Sequence, residues 1–170
     1  QDDPWNVKIR ANTTVNLTDK KKTASWKINK IVEAKVSIIG LEDPAYTVES
    51  SGRVFIDTQP ASKLDTQMST RLATNIACRF LGRDCSQYDF FYTIKANSVL
   101  IGGPSASAPV TLLTIATLDR KNVNQTVVMS GAISSGDLIG PVGGLVQKIQ
   151  AAAKSDIKTV LIPQGEREFE

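Results

Sequence analysis

The chain has 170 residues, enough for one well-cored domain, and its apolar (41%) and charged (22%) fractions are those of a globular protein. A net charge of +3 is too small to argue for a nucleic-acid partner, and the basic run Lys20-Lys21-Lys22 lacks a flanking arginine or aromatic cluster, so it reads as a solvated turn. Histidine is absent, which excludes a Ser-His-Asp triad and, with only two cysteines, argues against a structural zinc site; neither metal nor cofactor is expected.

Residues 5–10 and 34–39 mix Val and Ile with polar residues and predict strands, separated by a polar excursion over 13–27. Glu42-Asp43-Pro44 marks a turn and 53–56 a short strand. Asp57-Thr58-Gln59-Pro60 resembles a helix start, and the helix predicted over 61–81 ends at Gly82. Its apolar residues Leu64, Met68, Leu72, Ile76 and Phe80 recur every fourth position, with Ala61 and Ala73 alongside, and predict the core face. Cys78 and Cys85 flank the turn-like Leu81-Gly82-Arg83-Asp84, where a local disulfide and a pair of free buried thiols are both open.

Residues 89–100 predict a strand that leads into Gly102-Gly103-Pro104. No charge falls between Lys95 and Asp119, but the glycines and proline interrupt the stretch, and the apolar part over 106–118 is shorter than the about 20 residues a bilayer requires. It reads as a loop and a buried helix over 105–118, with Pro109 in the first turn. A strand over 126–129, a Gly/Ser-rich loop, a helix over 144–154 and a strand over 158–163 complete the alternation. The pattern predicts an α/β (α+β) chain of small mixed sheets packed with about three main helices. We expect a single domain over 1–170, mostly β over 1–58, with the catalytic α/β part over 59–170.

A serine nucleophile without histidine needs another base, and lysine can be that base. Gly102-Gly103-Pro104-Ser105-Ala106 puts Ser105 at the start of a buried helix, where free N–H groups and the helix dipole favour developing negative charge. The backbone of Gly102, Gly103, Ser105 and Ala106 is therefore the candidate oxyanion and substrate-backbone site. A serine at a helix start is also an ordinary N-cap. Lys148, 43 residues further on, shares a helix stripe with Leu145, Ile149 and Ala152. Burial there would lower its pKa and make the neutral amine a usable base; the alternative is an apolar stem with a wet head. Ser130 ends a buried strand beside Gly131, as a group that orients the amine or as a simple strand-end hydroxyl.

The segment from Gly103 to Pro163 resembles the proteolytic domain of Lon peptidases. Gly103-Pro104-Ser105-Ala106 matches that family's nucleophile motif, and Met129-Ser130-Gly131-Ala132-Ile133 resembles its Met-Thr-Gly-Glu-Ile. Pro141-Val142-Gly143-Gly144-Leu145-Val146-Gln147-Lys148 resembles Pro-(Val/Ile)-Gly-Gly-Leu-Lys-Glu-Lys, whose last lysine is catalytic, and Ile157-Lys158-Thr159-Val160-Leu161-Ile162-Pro163 resembles the strand that follows. The resemblance implies the Lon proteolytic-domain fold, with Ser105 as nucleophile, Lys148 as general base and Ser130, in place of the usual threonine, orienting the lysine. Three positions depart from the pattern. Gly102 replaces a common acid, Ala132 replaces the glutamate after Ser-Gly, and Ser107 replaces a glycine. Ser107 is a rival nucleophile by composition, but the spacing to Lys148 favours Ser105.

No Gly-x-x-x-x-Gly-Lys-Ser/Thr loop occurs, and the chain resembles the stand-alone archaeal relatives that act without ATP and are exported or membrane-tethered. That resemblance implies a serine endopeptidase acting on unfolded proteins or peptides, with no cofactor and no nucleic acid. A homo-oligomeric ring and a membrane tether outside this fragment are compatible with it. Asn-X-Ser/Thr triplets at Asn12, Asn16 and Asn124, with the candidate disulfide, point to an extracytoplasmic, secreted or membrane-anchored location. The start at Gln1 reads as a processed or trimmed product, and the full-length protein is expected to extend past Glu170. The rival readings are a non-catalytic Lon-like scaffold for assembly or partner binding, disfavoured by the retained serine and lysine, and a peptidase that clips only its own chain.

Overall fold

Four strands form the main sheet of the computed structural model, which describes residues 21–28, 32–40, 51–96, 99–124, 126–155 and 157–166. The predicted strand over 5–10 and the turn at Glu42-Asp43-Pro44 lie outside the described residues, as do Asn12 and Asn16. Strands β1 (Lys21–Ile28) and β2 (Val32–Gly40) pair antiparallel from Lys21↔Ile39 to Ile28↔Val32. The polar excursion predicted over 13–27, and the turn at Lys20-Lys21-Lys22, are thus corrected over 21–27. Full-length pairing with β2 overrides a composition poor in strand formers.

Strand β3 (Val54–Gln59) is followed by helix α1 (Leu64–Phe80) and strand β4 (Tyr88–Ala96). The sheet order is β1-β2-β4-β3, with β4 antiparallel to β2 and parallel to β3. Because β4 lies between β2 and β3, this sheet does not divide at residue 58. The helix start predicted at Asp57-Thr58-Gln59-Pro60 is corrected: Asp57, Thr58 and Gln59 pair with Thr93, Ile94 and Lys95, and Lys63 is the N-cap of α1. The backbone ladder to β4 holds these residues extended.

The core face of α1 is also corrected. Leu64 (68%), Met68 (62%) and Phe80 (74%) are exposed, Ala61 is exposed, Leu72 is half-buried, and only Ile76 and Ala73 are buried. Each step of four residues overshoots a full turn by about 40°, so a row of five winds from one side of the helix to another. The buried face is instead Thr66, Thr70, Ala73, Thr74 and Ala77, which mixes spacings of three and four. Its hydroxyls are satisfied inside. Thr74 Oγ1 is hydrogen-bonded to the Tyr92 hydroxyl, itself bonded to Thr114 Oγ1, each at 2.8 Å. Burial pushes the Tyr92 phenol up to about 12, against the hydrogen bonds from Thr114 and Thr74.

Helix α2 (Ser107–Leu118) is buried on most sides, as its all-round apolar composition predicts. It packs Val110, Leu113 and Leu118 into a core with Ile38, Phe90, Ile94 and Val128. The remainder comprises β5 (Val127–Met129), β6 (Ala132–Ile133), β7 (Ile139–Gly140), helix α3 (Leu145–Lys154) and β8 (Thr159–Leu161). Strands β5 and β8 pair parallel, and β6 and β7 antiparallel. Three helices and small mixed sheets make the α/β (α+β) architecture expected from the sequence.

Two links fix the C-terminal end of α1. Cys78 and Cys85 form a disulfide with Cα atoms 5.7 Å apart, joining the helix to the turn before β4. The Arg79 guanidinium pairs with Asp137 and donates to the Ser135 carbonyl at 3.3 Å, tying the helix to the turn between β6 and β7.

Candidate active site

Ser105 lies in a turn two residues before α2, not at the helix start the sequence suggested. The N-cap is Ala106, and the turn is closed by Ser107 N–H donating to the Pro104 carbonyl at 2.9 Å. Ser105 is therefore not spent as a cap. Its side chain is half-buried and makes no hydrogen bond among the described residues. The N–H groups of Ser105 and Ala106 likewise find no acceptor among the described residues, whereas Gly103 N–H donates to Asp65 Oδ2 at 3.1 Å. Of the four candidate oxyanion positions, Gly103 is thus occupied. Gly102 packs close to the Lys63 side chain, whose Cδ would lie 3.0 Å from an added Cβ.

The rival Ser107 is 2% exposed. Its hydroxyl donates to the Pro104 carbonyl at 2.6 Å and accepts the Ile133 N–H at 2.8 Å. It fastens the turn to β6 and has no proton left for chemistry.

Two consecutive residues connect the serine to the lysine. Gly131 N–H donates to the Ser105 carbonyl at 3.0 Å, and the Gly131 carbonyl accepts Ala108 N–H at 3.1 Å. The backbone approaches closely enough that a Cβ on Gly131 would come within 2.4 Å of Ile139 Cγ2. Ser130, one residue earlier, donates its N–H to the Leu161 carbonyl at 3.1 Å, and its Oγ accepts from Lys148 Nζ at 3.2 Å.

Lys148 sits on the inner stripe of α3 with Leu145, Ala151 and Ala152, and is 4% exposed; Ile149 is half-buried. The wet-headed alternative does not hold. Removal from water pulls the Lys148 pKa below its ordinary value, with the charge of Glu166 acting in the opposite direction. Glu166 Oε1 also accepts Val142 N–H at 3.1 Å, in the stretch that leads into α3. The sequence reading missed Glu166, and Asp65 beside Gly103. Each comes from a distant part of the chain, outside the motifs, and no local pattern distinguishes it.

The chain belongs to the family described as the Lon protease (S16) C-terminal proteolytic domain, which matches residues 82–169, just over half of its length. It is similar to the archaeal Lon protease of Pyrococcus abyssi, 37% identical over 87 residues that cover 51% of this chain and 9% of that protein. The archaeal Lon protease of Methanothermobacter thermautotrophicus is 38% identical over 86 residues, covering 50% of this chain and 13% of that protein. Lon protease 2 of Bacillus subtilis is 28% identical over 138 residues, covering 78% of this chain and 25% of that protein. The chain spans a quarter or less of the length of these curated relatives.

Proposed function

We propose that the chain is an ATP-independent serine endopeptidase domain that hydrolyses peptide bonds in unfolded proteins or peptides through a Ser105–Lys148 dyad. The observation that carries this reading is the burial of the Lys148 amine, hydrogen-bonded to Ser130 Oγ at 3.2 Å. A lysine with a lowered pKa has a neutral fraction that can accept a proton near neutral pH.

In this mechanism neutral Lys148 Nζ takes the Ser105 Oγ proton as the oxygen attacks the scissile carbonyl. The Ser105 and Ala106 N–H groups receive the oxyanion. Lys148, now charged, gives its proton to the leaving amine, and the acyl group remains on Ser105. A water then loses a proton to Lys148 and attacks the ester, and the proton returns to Ser105 as the acid product leaves. Ser130 holds the amine by accepting one of its hydrogens, so that the lone pair is kept for Ser105.

The absence of a nucleotide-binding loop from the sequence supports independence from ATP. The Cys78–Cys85 disulfide supports an oxidising, extracytoplasmic location, secreted or membrane-anchored. Among the described residues no helix is long and apolar enough to cross a membrane, so a tether would be supplied elsewhere.

Casein hydrolysis without ATP tests the reading, comparing the parent protein, Ser105→Ala and Lys148→Met. The expected result is parent activity that falls by roughly a thousandfold or more in either variant. Activity that survives both substitutions sinks the dyad, and activity that appears only with ATP overturns the ATP independence.

A further inference from the structure

The loop that presents Ser105 is held along its length by the start of α1. Lys63 N–H donates to the Ile101 carbonyl at 2.8 Å, and Ile101 N–H to the Ala61 carbonyl at 3.1 Å. Two residues further on, the grip passes to side chains. Asp65 Oδ2 accepts Gly103 N–H at 3.1 Å while Oδ1 accepts Thr66 N–H at 2.7 Å. Thr66 Oγ1 makes a longer contact to the Gly103 carbonyl at 3.4 Å. Gly103 has φ +91°, a conformation that favours glycine, so its peptide groups take an orientation that little else in the loop enforces.

The consequence reaches the nucleophile. Gly103 precedes Ser105 by two residues, and Pro104 between them has a fixed φ. Setting the planes of the peptides on either side of Gly103 therefore sets the direction in which the Pro104–Ser105 peptide leaves, and with it the Ser105 N–H. From the other side, Gly131 fixes the Ser105 carbonyl at 3.0 Å. Without Asp65 the turn is anchored beyond Ser105 but loose before it.

We propose that Asp65 is a positioning residue for the nucleophile: its carboxylate, seconded by Thr66, locks Gly103 so that the N–H groups of Ser105 and Ala106 are preorganised to receive the oxyanion. This rests on the reading of Ser105 as nucleophile. The contrasting role for Asp65 is that of an acid in the first turn of a helix, which acts on stability alone.

The test uses the whole chain with Asp65→Ala and Asp65→Asn, read by amide hydrogen exchange at Gly103, by kcat and KM on a peptide substrate, and by thermal midpoint. Loss of one hydrogen bond to a charged acceptor should speed Gly103 exchange about tenfold in Asp65→Ala. It should also lower kcat about tenfold with KM little changed, because the interaction matters most when charge develops. Asp65→Asn, which keeps an acceptor oxygen, should recover most of both. Unchanged Gly103 exchange in Asp65→Ala overturns the proposal, as does faster exchange with unchanged kcat, or a lowered thermal midpoint with normal kcat. Parent activity that survives Ser105→Ala counts against the dyad itself, whereas Ser105-dependent activity indifferent to Asp65 removes only the clamp.

Discussion

Ser130 and Lys148, 18 positions apart in the chain, meet side chain to side chain in the protein interior at 3.2 Å. A buried ammonium or amine needs such an acceptor, because leaving it unsatisfied costs about 1–3 kcal/mol. Ser130→Ala should therefore lower kcat by about tenfold, and Ser130→Thr, which keeps the hydroxyl, should retain most activity. Steady-state kinetics on one peptide across the three proteins checks this, and equal losses in both variants would point to packing instead of the hydroxyl.

Lys148 also imposes a pH dependence on stability. Its folded pKa lies below the ordinary value of 10.5. Between those two values the unfolded chain holds a proton that the folded protein lacks, so stability rises with pH across that window. The burial penalty is complete below the folded pKa and gone above 10.5. Lys148→Met should be more stable than the parent at neutral pH, with an advantage that shrinks as the solution becomes alkaline. Denaturant melts at a series of pH values measure this, and a pH-independent difference would contradict it.

Glu166 acts on the same amine with the opposite sign from burial. In Glu166→Gln the carboxamide oxygen can still accept Val142 N–H, but the charge is gone. The acid limb of the rate–pH profile, where Lys148 loses its proton, should then move to lower pH, raising activity on the acid side. A limb that stays in place would show that the charge is not felt at the dyad.

The disulfide closes a short loop, with seven positions between its cysteines. The chain-entropy argument gives about 2 kcal/mol for a loop of this size. Cys78→Ser combined with Cys85→Ser should lower stability by about that amount in urea and leave the Ser105–Lys148 geometry working, since the bond lies at the far end of α1. Equal activity per folded molecule in oxidised and reduced protein is the matching observation.

The sequence shows most clearly what is local. The motif Gly103-Pro104-Ser105-Ala106, the stripe that carries Lys148, and the all-round apolar α2 are each defined within a dozen residues, and each lies in the structure close to where the pattern put it. What it hides depends on pairing between distant segments. Asp57–Gln59 read as a helix start until the β4 ladder is considered, and Leu64, Met68 and Phe80 read as core although the α1–α2 contact uses threonines. Ser107 and Ser105 are equivalent in composition. Only the approach of Ile133 N–H to the Ser107 hydroxyl separates them, and that contact spans 26 positions.

Helix α1 touches the site region at both ends, through Asp65 at the nucleophile loop and through Arg79 at the turn between β6 and β7. The two grips are 14 positions apart on one rigid rod, so their separation and relative angle are set by helical pitch alone. One residue inserted in the middle of α1 would rotate one grip against the other by about 100° and shift it by about 1.5 Å. Only one of the two loops could then stay docked. The length of α1 is in this sense a dimension of the site, held at a distance from any reacting atom, and substitutions along its exposed row should be tolerated where changes in length are not.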